Sequence, residues 1–517
     1  MGASSERRRI MKSRRFADND IVDVVVVGTG AGGAPLLAEL ARAGMKVVAL
    51  EAGPRFDPKQ HTPDEATASE IYWLEERLSG GANPMAFGGN NSGTGVGGSM
   101  LHFGAFMPRI DPRDMKLHSE TGKGVDWPFD FGTMLPYIER VEREIGVSGP
   151  ENYPWEPSRR YAYPPPQRNG AAQAMARGCD ALGIRSADGP TALITRDWGD
   201  RKACTGCGAC HQGCRNGAKS GTDVTYLPLA VSAGAEIRPN CFVHGIERDT
   251  TGRVTGVVYR EEGNDRIQKC ANLVLAAGAV ETARLLLHTG LANRSGQVGR
   301  NYMAHISTQV WGTFDEIIRP NKGYPSLTIT EDMMRPKDAD FAGGYLIQSL
   351  GMMPLTWATG VARGRGLWGD DLTRYLRGYN HMAGLGAHGD CLPSDDNRVT
   401  LSDETGRAGV PKPKITFSYG PNEQAMHEHM ARTMTSIWEA AGARDIWSMD
   451  RAAHMIGTCR MGTDPDDSVV DPFGRSHDID NLWISDHSIF PSATAANPAL
   501  AIMALSLRTA AAIKEGH

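Results

Sequence analysis

No apolar run in this 517-residue chain reaches the eighteen or so residues that a membrane span needs. The longest candidate, residues 498–513, is broken by Ser506 and Arg508. Neither sign of charge is in surplus: 55 Lys+Arg stand against 60 Asp+Glu, leaving a net −5. A global basic field is therefore absent, which excludes nucleic acid as the main partner. Cysteine is too sparse, at nine in so long a chain, for a disulfide scaffold. No internal repeat is visible, and the 61 glycines cluster in tight loops instead of spreading as low-complexity linker. A hydrophobic fraction of 40% excludes wholesale disorder. Length alone suggests about three domain-sized units.

The chain opens on a basic arm of Arg7, Arg8, Arg9, Lys12, Arg14 and Arg15, followed by Ala17-Asp18-Asn19-Asp20. No apolar stretch follows the arginines, so a signal peptide is not expected. Residues 1–18 read as a disordered solvated tail. The mature chain is expected in the cytoplasm, or in the periplasm only if a partner carries it.

Order is predicted to begin with a β-branched strand at 22–27, running straight into Gly28-x-Gly30-x-x-Gly33. An Ala/Leu-rich helix over 34–43 and a second strand over 46–50, ending on Glu51, complete a βαβ unit. Each glycine has a mechanical reason. The first permits the tight turn, the second lets backbone approach a pyrophosphate, and the third lets helix and strand pack closely. The helix N-terminus offers free N–H groups to phosphates, and Glu51 stands where a ribose would be held. This pattern binds a dinucleotide but does not choose between FAD and NAD. A hairpin is predicted around Thr251-Gly252, and a buried strand at 273–278 leads to a helix at 281–287.

Four cysteines fall within eleven residues: Cys204-x-x-Cys207-x-x-Cys210-x-x-x-Cys214. The spacing repeats that of bacterial iron–sulfur ferredoxins, with Gly206, Gly208 and Gly213 allowing a tight loop. Arg215 replaces the usual proline. A three-iron or four-iron cluster, a structural four-thiolate zinc site and a merely structural loop all remain open. The other cysteines, 179, 241, 270, 391 and 459, read as packed thiols.

Several separate motifs carry a family resemblance. They are the 22–54 unit with Glu51-Ala52-Gly53-Pro54, Val96-Gly97-Gly98-Ser99, Gly278-Ala279-Val280-Glu281-Thr282-Ala283, His454-x-x-Gly457-Thr458-Cys459-Arg460-Met461-Gly462, and Asp486-x-Ser488-x-Phe490-Pro491 through Asn497-Pro498. In this order the chain resembles the glucose–methanol–choline (GMC) oxidoreductases from about residue 23 to 513. The resemblance implies an α/β fold, with a Rossmann-type FAD-binding domain built from discontinuous segments and a substrate domain with an antiparallel sheet. The segments expected are 19–150, 241–304 and 454–517 for FAD, 151–240 as a cysteine-rich connection, and 305–453 for substrate.

The resemblance further implies hydride transfer from a CH–OH group to flavin N5. His454 is the expected base, since an imidazole can take a proton near neutrality. Asn497 is the expected orienting partner, because an amide can hold the substrate oxygen but cannot take its proton. Asn497 suits a helix cap and Pro498 a first helical position, which would aim a positive helix end at the flavin. Gly28, Gly30, Gly33, Glu51, Gly97, Gly98, Ser99, His102, Gly278, Asp486 and Pro498 are the expected cofactor residues. His102 matches the position at which some members link a histidine to the flavin 8α carbon; a covalent bond and simple packing are both open.

The cysteine run is similar to that of FAD-dependent sugar dehydrogenases, so a sugar, glycoside or polyol is the first substrate class. A small subunit and a cytochrome or quinone acceptor come with it. A second reading is an oxygen-using oxidase of a sterol or aromatic alcohol, favoured by Trp311, Trp357, Trp368, Met352, Met353 and Met382. A lyase that keeps FAD without reducing it is the reading from another class.

Overall fold

The computed structural model of the chain describes residues 14–57, 59, 64–73, 77–85, 92–337 and 339–517. Arg7, Arg8, Arg9 and Lys12 lie outside them, as does part of the glycine-rich stretch 88–98. The β-branched run forms strand β1 (Val22–Val27), followed by helix α1 (Ala34–Arg42) and β2 (Val47–Leu50). Distant segments complete the sheet with β3 (Glu236–Arg238), β4 (Phe242–Arg248), β5 (Val254–Glu261) and β6 (Asn264–Leu275).

Strand β6 changes partner half-way, and its composition says why. Its apolar second half pairs parallel with β1, Val22 opposite Cys270 and Val27 opposite Leu275. Its polar first half pairs antiparallel with β5, Glu261 opposite Asn264. The predicted hairpin is β4–β5, turned at Gly252 with φ +87°. The third strand of this meander escapes sequence patterning because Asn264 and Asp265 are exposed and polar. Helix α2 (Gly278–Thr289) follows β6.

The second sheet comprises β7 (Met303–Thr313), β8 (Thr328–Thr330), β9 (Tyr345–Leu350), β10 (Met382–Gly389) and, after helix α3 (Pro421–Ala440), β11 (Arg444–Ile456). Spatial order is β11-β7-β10-β9-β8, closed by Ala187–Asp188, with every neighbour antiparallel. Alternation along each strand divides the faces. Ile306, Val310, Ile347, Leu385 and Ala387 pack in one core with Met426, Met430, Met434 and Trp438 of α3. The opposite face carries Ser307, Gln309, Trp311, Gln348 and His388 and lines a cavity. The chain then returns to the first sheet as β12 (Leu482–Ile484), Leu482 opposite Leu273, and ends in helix α4 (Ala499–Glu515).

Two boundaries differ from the sequence reading. The 151–240 segment is shared between both units: Gly170–Ala181 packs on the second sheet's core while β3 forms an edge of the first. Order also starts before residue 19. Arg15 N–H and Phe16 N–H each donate to Glu236 Oε2 at 2.9 Å, and Asp18 Oδ1 accepts from Tyr259 Oη at 3.0 Å and Arg238 Nη1 at 3.2 Å. Glu236 and Arg238 are buried charges that need partners, and the segment before β1 supplies them.

Glycine 32, absent from the predicted fingerprint, joins the two ends of the chain. A Cβ there would stand 1.8 Å from Ser485 O. The backbone would have to move, and such overpacking costs about 1–3 kcal/mol. Gly32→Ala is expected to lower stability by that amount in chemical denaturation; an unchanged midpoint would contradict this packing.

Candidate active site

At the nucleotide end the glycines do what their spacing requires. Gly28 has φ +101°, and a Cβ there would lie 2.4 Å from Ala276 O. A Cβ on Gly33 would meet Gly28 O at 2.1 Å, so this glycine serves helix–strand packing and not the cavity. Gly30 faces Gly98, whose own Cβ would come within 2.8 Å of Gly30 Cα. Two bare backbones thus form a cradle that any side chain would fill. Gly97 (φ +119°) lies behind it, its N–H donating to Thr29 Oγ1 at 3.0 Å, while Ser99 Oγ accepts from Gly93 N–H at 3.0 Å.

Glu51 is buried beside the cradle, and the chain itself meets its needs. Oε2 accepts from Thr29 N–H (3.1 Å) and Thr29 Oγ1 (2.7 Å), and Oε1 from the N–H groups of Gly53 (3.1 Å) and Gly95 (3.3 Å). Burial pushes its carboxyl pKa up against these donors. It therefore clasps two loops together, a role that its position at a strand end did not disclose. Asp486 ties a third segment in: Oδ2 accepts from Gly278 N–H (2.9 Å) and Thr282 Oγ1 (2.7 Å), and Oδ1 from Ser488 N–H (2.8 Å).

From this cradle a cavity of about 1420 Å³ runs to the second sheet. That exceeds the ~300–1,000 Å³ typical of a single-ligand pocket. Gly28, Gly30, Glu51, Gly98, Ser99, His102, Gly278, Asp486, Asn497 and Pro498 all line it, together with His454.

His454 owes its place to a β-bulge. Ala453 pairs with His305 and Met455 with Ala304, so His454 is the extra residue, held at φ +55°. Its Nε2 lies 3.4 Å from Asn497 Nδ2, and its Nδ1 lies 2.9 Å from His305 Nδ1. His305 Nε2 donates to Ala493 O at 3.1 Å. His388 stands against the same ring, centroids 5.0 Å apart. Burial pushes the pKa of His454 well below the usual value, with His305 and His388 adding to the effect; that of His305 falls to about 4 and of His388 to about 3. Neither His305 nor His388 was foreseen, because isolated histidines in strands carry no motif.

Asn497 does not cap the final helix. Pro498 occupies the cap position without a side-chain bond, and the Asn497 amide turns to His454 instead. The N-terminus of α4 still opens on the cavity, with Pro498, Ala499 and Ile502 lining it. Trp311, Trp357, Met352 and Met353 line the wall, whereas Trp368 is 83% exposed and Met382 packs in a core.

His102 is buried against Tyr72, ring centroids 5.0 Å apart, with Nε2 lacking a partner among the described residues. Its loop is bolted down from the cysteine segment. The Lys219 ammonium donates to Leu101 O (2.8 Å), Phe103 O (3.2 Å) and Cys210 O (2.6 Å), and His211 Nδ1 bonds His102 O at 3.1 Å. The four thiols themselves are free. Cys210 is buried, Cys204 and Cys214 are half-buried and Cys207 is exposed. Cys204 Sγ and Cys214 Sγ accept from the N–H groups of Gly206 and Lys219. No three His, Cys, Asp or Glu side chains among the described residues form a metal-binding set, so the structure shows neither the iron–sulfur cluster nor the zinc site. The remaining cysteines are buried thiols, as expected.

The GMC oxidoreductase family models match residues 91–307 and 393–506, which together hold β6, α2, His305, His454 and Asn497. The chain belongs to the GMC oxidoreductases. Like other GMC oxidoreductases it is an FAD-dependent enzyme acting on CH–OH donors, and the glycine cradle fits that cofactor. It is 29% identical to the fructose dehydrogenase large subunit of Gluconobacter japonicus, over 95% of this chain and 97% of that protein. It is 28% identical to 2-methyl-1,2-propanediol dehydrogenase of Mycolicibacterium austroafricanum (95% and 94%) and 29% identical to paromamine 6'-oxidase of Streptomyces fradiae (96% and 92%). Among solved structures, pyridoxine 4-oxidase from Mesorbium loti shares the GMC fold with a TM-score of 0.66 at 17% identity, covering 96% of this chain and all of that one (100%). A formate oxidase does so with a TM-score of 0.74 at 15% identity, covering 97% and 99%.

Five buried or half-buried histidines at this GMC site, His102, His211, His305, His388 and His454, have pKa values that desolvation pushes below the ordinary 6.5. The unfolded chain then binds more protons, so stability is full above about pH 6.5 and is lost as pH falls toward 4. Each group contributes up to about 1.4 kcal/mol per pH unit across that window. Denaturation midpoints are expected to drop steeply from pH 7 to 5; a flat profile would show that these rings are charged in the fold.

Proposed function

We propose that the enzyme oxidises a carbinol of a sugar, glycoside or other polyol, with His454 taking the hydroxyl proton and Asn497 orienting the oxygen. The observation that carries this reading is the His454 Nε2–Asn497 Nδ2 pair, 3.4 Å apart on the cavity wall. Two nitrogens so placed bracket one oxygen: the amide donates to it while the ring nitrogen receives its proton. Burial keeps His454 neutral, hence able to accept, at and below neutral pH.

FAD, held by the Gly28–Gly30–Gly98 cradle, Ser99, Gly278, Asp486 and Pro498, supplies the hydride acceptor when bound. Trp311 and Trp357, whose ring centroids lie 4.2 Å apart, give the cavity an apolar wall. Polyol substrates are supported by the polar wall of Ser307, Gln309, Ser326, Gln348, His388 and His427. Two relatives are named for fructose and for 2-methyl-1,2-propanediol. The electron acceptor in this proposal is a quinone or cytochrome reached through a partner subunit, supported by the relative named as a large subunit. The apolar wall of Trp311, Trp357, Met352 and Met353 favours the second reading, an oxygen-using oxidase of a sterol or aromatic alcohol. His102, whose Nε2 has no partner among the described residues, is the candidate for attachment to the flavin 8α carbon. Yellow colour that stays with the denatured chain would mark the bond, and colour that leaves would mark a packed histidine.

Anaerobic mixing with an alcohol panel tests the function. Polyols are expected to bleach the flavin, and bleaching by aromatic alcohols or sterols alone would replace the polyol with the second class. Flavin that no alcohol bleaches would point to a lyase. His454→Ala is expected to lower kcat/KM by about 10²–10⁴ and Asn497→Ala by about 10²–10³, both with flavin retained. Undiminished turnover in His454→Ala would remove the base from this scheme.

A further inference from the structure

His305 lies in β7 with no exposed surface, outside the reach of any ligand, yet it is the ring on which His454 rests. Its hydrogen bonds leave little freedom in where protons sit. A carbonyl oxygen only accepts, so the 3.1 Å contact with Ala493 O places a hydrogen on His305 Nε2. Burial keeps this imidazole neutral, which leaves its Nδ1 bare. That bare nitrogen stands 2.9 Å from His454 Nδ1. Only one hydrogen fits between two nitrogens at this distance, and it must belong to His454. A neutral His454 with its hydrogen on Nδ1 has its lone pair on Nε2, the atom beside Asn497.

We propose that His305 is a positioning residue that fixes the reactive tautomer of His454, in a chain running Ala493 O, His305, His454, Nε2. The inference rests on the reading of His454 as base. The opposite tautomer would press two lone pairs together against the fully buried His305 ring and present to the substrate hydroxyl an N–H, which cannot take its proton. The titratable groups that act most strongly on His454 are His305 on β7, His388 on β10, His487 and, on β11 itself, Arg451. None of these is an acid, so the orienting task falls to a neutral ring. A neutral acceptor holds Nδ1–H without drawing a second proton onto His454 at rest. When the substrate proton arrives at Nε2, the Nδ1–H bond to His305 remains and strengthens because its donor is now charged.

The test uses the flavin-loaded enzyme and an alcohol that it turns over. His305→Phe keeps a ring but removes the acceptor. It is expected to lower kcat about 100-fold, the scale of a lost proton-transfer group, with KM and flavin content unchanged. Its solvent deuterium isotope effect on kcat should rise, because proton removal becomes rate-limiting. His305→Asn, whose amide oxygen can accept from His454 Nδ1–H, should recover roughly tenfold of that loss. Should His305→Phe fail to retain flavin, His305→Leu is read by the same measures. Parental kcat and isotope effect in the acceptor-less variant would overturn the proposal, and so would equal losses in the Phe and Asn variants. His454→Ala in the same series separates the two claims: if it too is fully active, the base reading itself falls.

Discussion

One residue too many in an edge strand holds the site together. Because β11 carries an extra residue against β7, His454 leaves the ladder, adopts φ +55° and turns its ring over His305. A non-glycine residue in that conformation costs of order 1–3 kcal/mol and persists only where its surroundings over-determine it. They do so here from three directions. His305 fixes Nδ1, Asn497 faces Nε2, and the 492–495 segment that supplies Ala493 O is itself anchored. Trp127 Nε1 donates to Ser492 Oγ at 2.8 Å, and Ala495 N–H donates to the buried carboxylate of Asp114 at 2.8 Å. Arg335 Nη1 neutralises that carboxylate at 2.7 Å. A bulge is thus converted from a pairing defect into the feature that aims a side chain.

The cavity follows from how two sheets divide their residues. The first offers backbone: glycines, a helix N-terminus and loops clasped by Glu51 and Asp486. The second offers side chains. Its central strand β10 carries Gly384 and Gly386, and a Cβ on Gly384 would stand 2.7 Å from the Trp311 ring. Removing side chains from the middle of the sheet makes room for Trp311 to lie over it, while Gln309 and Gln348 flank the gap from the neighbouring strands. Backbone thus lines the cradle end of the cavity, and side chains line the sheet end.

The parts of this protein legible in its sequence are those whose physics is local. A buried strand, a glycine turn and an alanine-rich helix declare themselves within thirty residues, and β1, α1 and β2 stand where patterning put them. His454 and Asn497 were reachable through motif resemblance, and the structure brings them together across 43 positions of chain. What stayed hidden depends on contacts between distant segments. Nothing local marks His305 as the ring beneath His454, and no periodicity announces a bulge. The clasp made by Glu51 stayed hidden because its four donors come from Thr29, Gly53 and Gly95, on separate turns. Asn497 carried a strong capping preference, worth about 1 kcal/mol, yet its amide is drawn to an imidazole instead. That local preference gave way to a contact between distant segments.

The cysteine run shows the same limit from the other side. Its spacing allows thiols to meet, and the loop's own backbone hydrogen-bonds two of them. Gly206 N–H and Lys219 N–H hydrogen-bond Cys204 and Cys214, while burial raises the pKa of Cys210. The lysine that follows the run has the stronger hold. Its ammonium is buried, which is tolerable only because three carbonyl oxygens take its three hydrogens. Two of those carbonyls, Leu101 O and Phe103 O, flank His102, and the third belongs to Cys210. The segment therefore reaches the cofactor cavity through Lys219 and the backbone of its neighbours, and the force it transmits is mechanical: it fixes where the His102 ring can lie.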